Sequence, residues 1–145
     1  VDNARIETYS DLVLVLLPRI IYIKEIEELL KILSFSKYKF LIRPHPSVLT
    51  QVEKFLTSKS KMILDANSQL SDSLLDCNYK FCIGFNSTSL LEAALYKQKI
   101  VQYLSGNDEF ILENVVSFKN KEEFLQLNDN EIKKDISTKY YFNLD

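Results

Sequence analysis

Short apolar runs alternate with amphipathic segments along most of the chain. The first run covers residues 12–17, and apolar residues then recur every three or four positions from 22 to 33. A second run at 38–43 precedes a similar periodic segment at 48–56. Runs of this length are typical of strands buried on both faces, and the longer period is typical of helices with one buried face.

The alternation continues with shorter elements after residue 60. The strands predicted from apolar runs in this part lie at 62–64, 81–83, 100–104 and 115–118. A brief helix is expected at 70–76, and another begins near Ser89. Two weak, charged helices are expected at 121–127 and 130–137.

Strands and helices that alternate at short spacing predict βαβ units. We therefore expect an α/β protein with a doubly wound, Rossmann-like and mainly parallel sheet of five to six strands. The expected organisation is one domain over residues 1–145, whose last part, 119–145, is a weakly structured helical tail. In such a sheet the loops that follow the strands share one edge, and ligands bind there near the point where the strand order reverses.

Composition narrows the class of partner. The 145 residues are 46% hydrophobic and 26% charged, and the net charge of −2 argues against nucleic-acid binding, which needs a basic surface. No apolar run approaches the roughly 20 residues of a transmembrane helix, so no membrane span is expected. Cys77 and Cys82 are too few for a disulfide framework, and we expect both to be reduced thiols.

The glycine and histidine counts limit the chemistry. Gly84 and Gly106 are the only glycines, which excludes a Gly-rich dinucleotide fingerprint and a P-loop. His45 is the only histidine and no cysteine pair has ligand spacing, so we expect neither a metal site nor a cofactor. A phosphate group would have to be held by hydroxyls, the histidine and helix ends.

A cluster of polar side chains follows the predicted strand at 81–83 and stands where the next helix begins. It consists of Asn86, Ser87, Thr88 and Ser89. Backbone N–H groups at a helix start lack partners within the helix and carry partial positive charge, which favours phosphate. One alternative stays open, namely that one of these hydroxyls is only an N-cap.

A second polar loop, Pro44-His45-Pro46-Ser47, follows the predicted strand at 38–43. The prolines restrict the backbone around His45, which makes its imidazole a candidate to donate a hydrogen bond to phosphate and to carry charge only with ligand present. The alternative is a structural or merely exposed histidine. Arg43 is a candidate either for pairing with phosphate or for an ion pair on the strand. Ser47 is the expected N-cap of the next helix.

Arg19 and Glu92 complete the candidates. Arg19 follows the first strand and has the same two interpretations as Arg43. Glu92 lies one helical turn after Thr88, where the helix dipole favours a carboxylate, and a carboxylate can also accept hydrogen bonds from two ribose hydroxyls. No Ser-His-Asp order and no carboxylate pair at catalytic spacing stands out, so the residues themselves indicate a phosphate-binding edge.

Together, two of these motifs resemble a known family. They are Arg43-Pro44-His45-Pro46 and, about 40 residues later, Gly84-Phe85-Asn86-Ser87-Thr88-Ser89-Leu90-Leu91-Glu92-Ala93. The pair is similar to the C-terminal nucleotide-binding half of GT-B glycosyltransferases, above all bacterial sialyltransferases and capsule polysaccharide transferases, and more distantly glycerophosphotransferases of teichoic acid synthesis. The resemblance covers roughly residues 11–104. It implies that His45, Ser87 and Thr88 contact the donor phosphate and that Glu92 meets the ribose.

The resemblance also implies a reaction and partners. The substrate would be a CMP-, CDP- or UDP-linked sugar, with CMP-sialic acid as one candidate, and the transfer to an acceptor hydroxyl would be inverting. His45 would stabilise the leaving phosphate, while the general base is expected on an N-terminal GT-B domain outside this chain. The acceptor would be a glycan or a lipid-linked molecule, and the fragment alone would be inactive. The expected location is the bacterial cytoplasm, with the inner face of the membrane, reached through other parts of the protein, as an alternative.

Two other functions stay open. One is a sugar-nucleotide epimerase half-domain, which would epimerise its substrate without an acceptor. The other is a non-catalytic Rossmann-like binding or scaffold module, which failure of every nucleotide to bind would favour. A receiver-like module is disfavoured because it needs clustered acidic residues after the first strand, where Pro18 and Arg19 stand.

Overall fold

The computed structural model describes residues 11–57, 59, 61–65, 69–75, 79–85, 88–105, 112 and 114–132. The strands are β1 (Leu12–Leu16), β2 (Lys39–Arg43), β3 (Met62–Leu64), β4 (Phe81–Gly84), β5 (Ile100–Tyr103) and β6 (Val116–Phe118). The helices are α1 (Ile23–Leu33), α2 (Leu49–Leu56), α3 (Leu70–Leu75), α4 (Thr88–Leu95) and α5 (Lys121–Leu125). Single 3₁₀ turns lie at Ile20–Tyr22, Pro46–Val48 and Asp129–Glu131.

The six strands form one parallel sheet in the order β3-β2-β1-β4-β5-β6. The strand order reverses between β1 and β4, which is the switch point of a doubly wound sheet. Leu16 lies beside Arg43, and Val15 lies beside Ile83, so the loops after β1, β2 and β4 begin next to one another. The expected Rossmann-like fold class is confirmed.

One face of the sheet, which we call the aromatic face, is covered by α1, α2 and α5. Its buried rings include Phe40, Phe81, Phe85, Tyr103, Phe118 and Phe124. Phe118 packs against Phe124 with ring centroids 4.8 Å apart, and Tyr103 continues the row at 5.3 Å from Phe118. At the other end, Tyr38 meets Phe81 edge-on at 5.4 Å. Burial and the neighbouring Asp129 carboxylate raise the pKa of the Tyr38 hydroxyl.

The opposite face, which we call the aliphatic face, is covered by α3 and α4. Its buried residues include Leu12, Leu14, Leu74, Cys82, Leu90, Ala93 and Ala94. The Cys82 side chain is buried in this face, whereas Cys77 lies outside the described residues. The two faces place α1 and α2 on one side and α3 and α4 on the other, so the sheet is covered on both sides as the apolar runs predicted.

Most elements lie within one or two residues of their predicted bounds, and the end of the chain differs most. The helix predicted at 121–127 ends at Leu125. The helix predicted at 130–137 is wrong where it can be compared: a 3₁₀ turn covers Asp129–Glu131, and Ile132 is extended and buried at 4% exposure. The Asn128 side chain accepts a hydrogen bond from the Asn130 N–H, which favours a short turn. Burial of Ile132 then favours an extended backbone over continuation of the helix.

The predicted tail begins at residue 119, and the structure describes it as far as 132. Its first part contains α5, whose Phe124 is 1% exposed in the aromatic face. Residues 133–145 lie outside the described part, as does Gly106. No helix within the described residues has both the length and the apolar composition to cross a membrane.

Candidate functional site

The loop after β2 presents the imidazole of His45 at the carboxyl edge of the sheet. His45 is exposed, extended at φ −67° and ψ 144°, and directly precedes the 3₁₀ turn that leads into α2. Its Nδ1 accepts the Ser47 N–H at 3.1 Å and lies 2.9 Å from the Ser47 Oγ. Because Nδ1 is an acceptor, the proton of the neutral ring lies on Nε2, which is the nitrogen available to donate to a ligand.

Ser47 does not cap α2, contrary to expectation: Val48 precedes α2 without a side-chain capping bond, and His45 caps the 3₁₀ turn at Pro46–Val48. The Ser47 Oγ instead accepts the N–H of Ile20 at 3.0 Å. This bond joins the loop after β2 to the loop after β1, across 27 positions of sequence. It therefore fixes the position of the His45 loop relative to the first strand.

The loop after β4 is positioned by close packing. Phe85 is 3% exposed, and a Cβ added at Gly84 would lie 3.0 Å from the Cβ of Leu90 on α4. The lack of a side chain at Gly84 therefore lets α4 begin close to the end of β4. Thr88 is the first residue of α4, while Asn86 and Ser87 lie outside the described residues.

A cleft of about 200 Å³ lies where these loops meet, at the carboxyl ends of β1 and β2. Its lining is Leu16, Leu17, Arg43, Pro44, His45, Pro46, Leu70 and Ser89. The cleft thus brings together three of the predicted site residues: Arg43 at the end of β2, His45 in the loop after it, and Ser89 in the first turn of α4, more than 40 positions later. The cleft is concave and partly apolar. Its wall carries the guanidinium of Arg43, the imidazole of His45 and the first turn of α4 at Ser89.

Arg19 and Glu92 are not among the residues that line this cleft. Arg19 is exposed, and its C=O accepts the Tyr22 N–H at 3.0 Å, which begins the turn before α1. Glu92 lies half-buried on α4, one turn after the first residue of that helix.

Arg43 forms an ion pair, which is one of its two predicted interpretations. Its Nη1 lies 3.2 Å from Oδ2 of Asp65, the residue that follows β3. The side chain of Asp65 is 2% exposed and that of Arg43 is 18% exposed. Sequence reasoning missed Asp65, although its place directly after a strand assigned it to the same edge.

A second cleft, of about 270 Å³, lies at the opposite edge, where β2 and β3 begin. Its lining is Leu33, Ser34, Phe35, Phe40, Lys59, Lys61 and Met62. It contains none of the predicted site residues. Parallel sheets of this class bind ligands at the carboxyl edge, so the smaller cleft is the candidate site. Within the described part of the chain, no three His, Cys, Asp or Glu side chains come together to hold a metal ion.

The strand order and the switch point define a Rossmann-like domain, and the cleft lies at the carboxyl edge of its sheet. Residues 9–106 match the model of the alpha-2,8-polysialyltransferase family (POLYST), and this is about two thirds of the chain. The chain therefore belongs to the alpha-2,8-polysialyltransferase family. The matched residues include both loops of the cleft and every predicted site residue. A search of curated proteins finds no significant match.

Two solved structures share the fold. One is UDP-GlcNAc 2-epimerase from Methanocaldococcus jannaschii in complex with UDP-GlcNAc and UDP, which has a TM-score of 0.56 and 16% identity and is aligned over 94% of this chain. The other is TarM, with a TM-score of 0.53, 15% identity and 93% of this chain aligned. At this identity the likeness shows the fold alone. The chain spans 42% of the epimerase chain and 35% of the TarM chain.

Proposed function

We propose that this chain is the donor-binding domain of a glycosyltransferase that uses a nucleotide-activated sugar, with CMP-sialic acid as the leading candidate. The family assignment supports the reaction class. The observation that carries the proposal is the convergence of Arg43, His45 and Ser89 on one cleft at the carboxyl edge. These groups are suited to an anion: a guanidinium, an N–H donor and a helix start.

In the proposed complex the donor phosphate lies in this cleft. Nε2 of His45 donates a hydrogen bond to a phosphate oxygen, because Nδ1 is engaged by the loop itself. The backbone N–H groups at the start of α4 and the Ser87, Thr88 and Ser89 hydroxyls are proposed as further donors. As the bond to the sugar breaks, negative charge grows on the leaving phosphate, and these preorganised groups stabilise it.

Two further contacts complete the proposed donor site. Glu92 accepts hydrogen bonds from the ribose hydroxyls of a nucleotide that extends along α4. Arg19, exposed after β1, adds positive charge at the same edge of the sheet. Neither residue lines the cleft itself, so both belong to the outer part of the donor site.

The rest of the reaction is assigned to the longer protein of which this chain would be one half. We propose a second GT-B domain that binds the acceptor, a glycan or a lipid-linked molecule, and supplies the general base for inverting transfer. On this proposal the chain alone binds nucleotide weakly and has no turnover. The setting is bacterial polysaccharide synthesis, such as that of a capsule, in the cytoplasm or at the inner face of the membrane.

The epimerase alternative has weaker support. The epimerase structure is 16% identical to this chain and shares its fold, which does not extend to activity. The family match instead favours transfer. A scaffold without ligand would require that the convergent groups of the cleft bind no nucleotide.

The first test is a backbone amide NMR titration of the 145-residue chain with CMP, CDP, UDP and GDP. We expect one nucleotide to shift the amides of His45 and of residues 84–92 together. Shifts confined to the cleft at the opposite edge, or no shifts with any nucleotide, would contradict the proposal and favour a scaffold.

The second test replaces His45 with alanine. Loss of a hydrogen bond to a charged phosphate weakens binding by about tenfold or more. Gln51→Ala, an exposed change on α2, is the matched control and should leave the dissociation constant unchanged. Equal affinities for His45→Ala and the control, measured by calorimetry, would remove His45 from the donor site.

A further inference from the structure

We infer that Asp65 is a positioning residue that holds the guanidinium of Arg43 in one orientation at the wall of the cleft. Asp65 was not among the residues that the sequence indicated. It does not line the cleft and acts through Arg43, which does. The part of the inference that concerns phosphate rests on the proposed function, whereas the part that concerns the orientation of Arg43 does not.

The sheet itself places the two residues side by side. Ile42 of β2 pairs with Leu64 of β3, so the next residues, Arg43 and Asp65, are neighbours across the two strands. The Asp65 N–H donates to the C=O of Ile42 at 2.8 Å and extends the ladder by one more bond. The Arg43 C=O accepts the Leu17 N–H at 3.0 Å from the other side. Both backbones are therefore held by hydrogen bonds to neighbouring strands.

The carboxylate of Asp65 is held from a second direction. Its Oδ2 accepts a hydrogen bond from the Ser73 hydroxyl at 2.5 Å and another from Nη1 of Arg43. Ser73 is 2% exposed on α3, and its C=O accepts the Tyr79 hydroxyl at 2.6 Å. A buried carboxylate with partners fixed on α3 and β2 is a rigid acceptor, so it restricts the guanidinium that it binds.

This restriction matters because arginine has many rotamers in water. Ordering such a side chain on binding costs free energy, and a side chain that is already ordered avoids that cost. One effect opposes this: the negative charge of Asp65 lowers the attraction of the cleft for an anion. Salt weakens the charge effect in the open, solvated part of the cleft and does not act on the geometric effect, so higher ionic strength favours detection of the geometric effect.

The orientation is tested without any ligand. In the ligand-free chain, restricted rotation of the Arg43 guanidinium gives separate side-chain Nη–Hη signals in NMR. We expect Asp65→Asn to average these signals, and Ser73→Ala, which keeps the carboxylate, to leave them separate. Unchanged signals in Asp65→Asn would overturn the inference. Were Asp65→Asn to unfold the chain, Asp65→Glu would serve, because its displaced carboxylate should also free Arg43.

The consequence for phosphate is tested with CMP and cytidine, which differ only in the phosphate, at 0.3 M salt. We expect Asp65→Asn to lower the preference for CMP over cytidine by about two- to tenfold, the worth of one ordered side chain. In an Arg43→Met background the same change should no longer lower this preference, because only the charge effect of Asp65 is left to act. A general structural defect would weaken both ligands equally and would contradict the positioning role.

The two hypotheses fail in different ways. Absence of CMP and cytidine binding by the unmodified chain would count against CMP as the donor nucleotide, while the ligand-free signals of Arg43 still decide the role of Asp65. Restricted signals that persist in Asp65→Asn would end the inference and leave the donor site intact.

Discussion

The two faces of the sheet are packed in different ways. The aromatic face buries large rings beneath α1, α2 and α5, and neighbouring rings lie about 5 Å apart. The aliphatic face uses small groups: Ala93 is fully buried, and a Cβ added at Gly84 would lie only 3.0 Å from the Cβ of Leu90. Burial of large rings stabilises the aromatic face. On the aliphatic face, the helices instead approach the sheet closely.

The difference bears on the candidate site. Leu70 of α3 and Ser89 of α4, both on helices of the aliphatic face, line the cleft opposite the His45 loop. A small shift of α4 would therefore move one wall of the cleft. We conclude that the aromatic face mainly stabilises the domain and that the helices of the aliphatic face position one wall of the site.

The largest effect is expected on the aromatic face. Phe124→Ala removes a ring that is 1% exposed and leaves a cavity beside Phe118, which typically costs about 3–5 kcal/mol. Urea denaturation followed by circular dichroism measures the loss. Phe35→Ala is the control: this ring is 57% exposed and contacts Lys121, and its loss should cost about 1 kcal/mol or less. Equal losses would show that the rings of this face are not its main support.

A smaller loss, with a clearer effect on the site, is expected on the aliphatic face. Gly84→Ala places a Cβ 3.0 Å from the Cβ of Leu90 and 3.1 Å from its Cδ1, and overpacking of this kind costs about 1–3 kcal/mol. Because Leu90 on α4 has to give way to the added Cβ, we expect α4 to move slightly and nucleotide binding to weaken as well. Ser117→Ala on β6 is the control and should change stability by less than about 0.5 kcal/mol. Unchanged binding in a destabilised Gly84→Ala variant would separate packing from site geometry.

The smallest effect is a gain at the end of α4. Lys97 has φ 67°, a left-handed conformation that favours glycine, and it closes the helix as its N–H donates to Ala94 and that of Gln98 to Ala93. Lys97→Gly should raise the free energy of unfolding by about 0.5 kcal/mol. Glycine relieves the backbone strain of the folded state, and the greater conformational freedom that it gives the unfolded chain offsets part of this gain. Asn114 also has a positive φ, but asparagine tolerates this conformation better than lysine does. Asn114→Gly should therefore raise stability by less than Lys97→Gly. Thermal unfolding of both variants checks the order.

Much of this architecture follows from local pattern. The apolar runs predicted every strand of the sheet, with the strand at 62–64 matching β3 at both ends. The prediction that the loops after β2 and β4 share one edge is confirmed for their described residues, because the sheet is parallel and Pro44 and Gly84 stand at the ends of their strands. The roles of Arg43, His45, Ser87, Thr88, Ser89, Glu92 and Arg19 stay predictions.

Other features could not be predicted from one sequence. The partner of Arg43 is 22 residues away, and only the pairing of β2 with β3 brings Asp65 beside it. The capping role of His45 also needed the structure, because Ser47 is the better cap by residue type and is instead bound to Ile20. The predicted helix at 130–137 failed at its beginning because burial of Ile132 outweighs a weak helical tendency.

The sequence by itself determined the alternation of strands and helices, the exclusion of glycine-rich phosphate loops, and the polar loops in which an anion site was to be sought. Those properties depend on residues close together in the chain. The tertiary structure decided the strand order, the convergence of Arg43, His45 and Ser89 on one cleft, and the buried carboxylate behind Arg43. These depend on which strands pair and which helices cover each face, and that choice is made by packing between segments far apart in sequence.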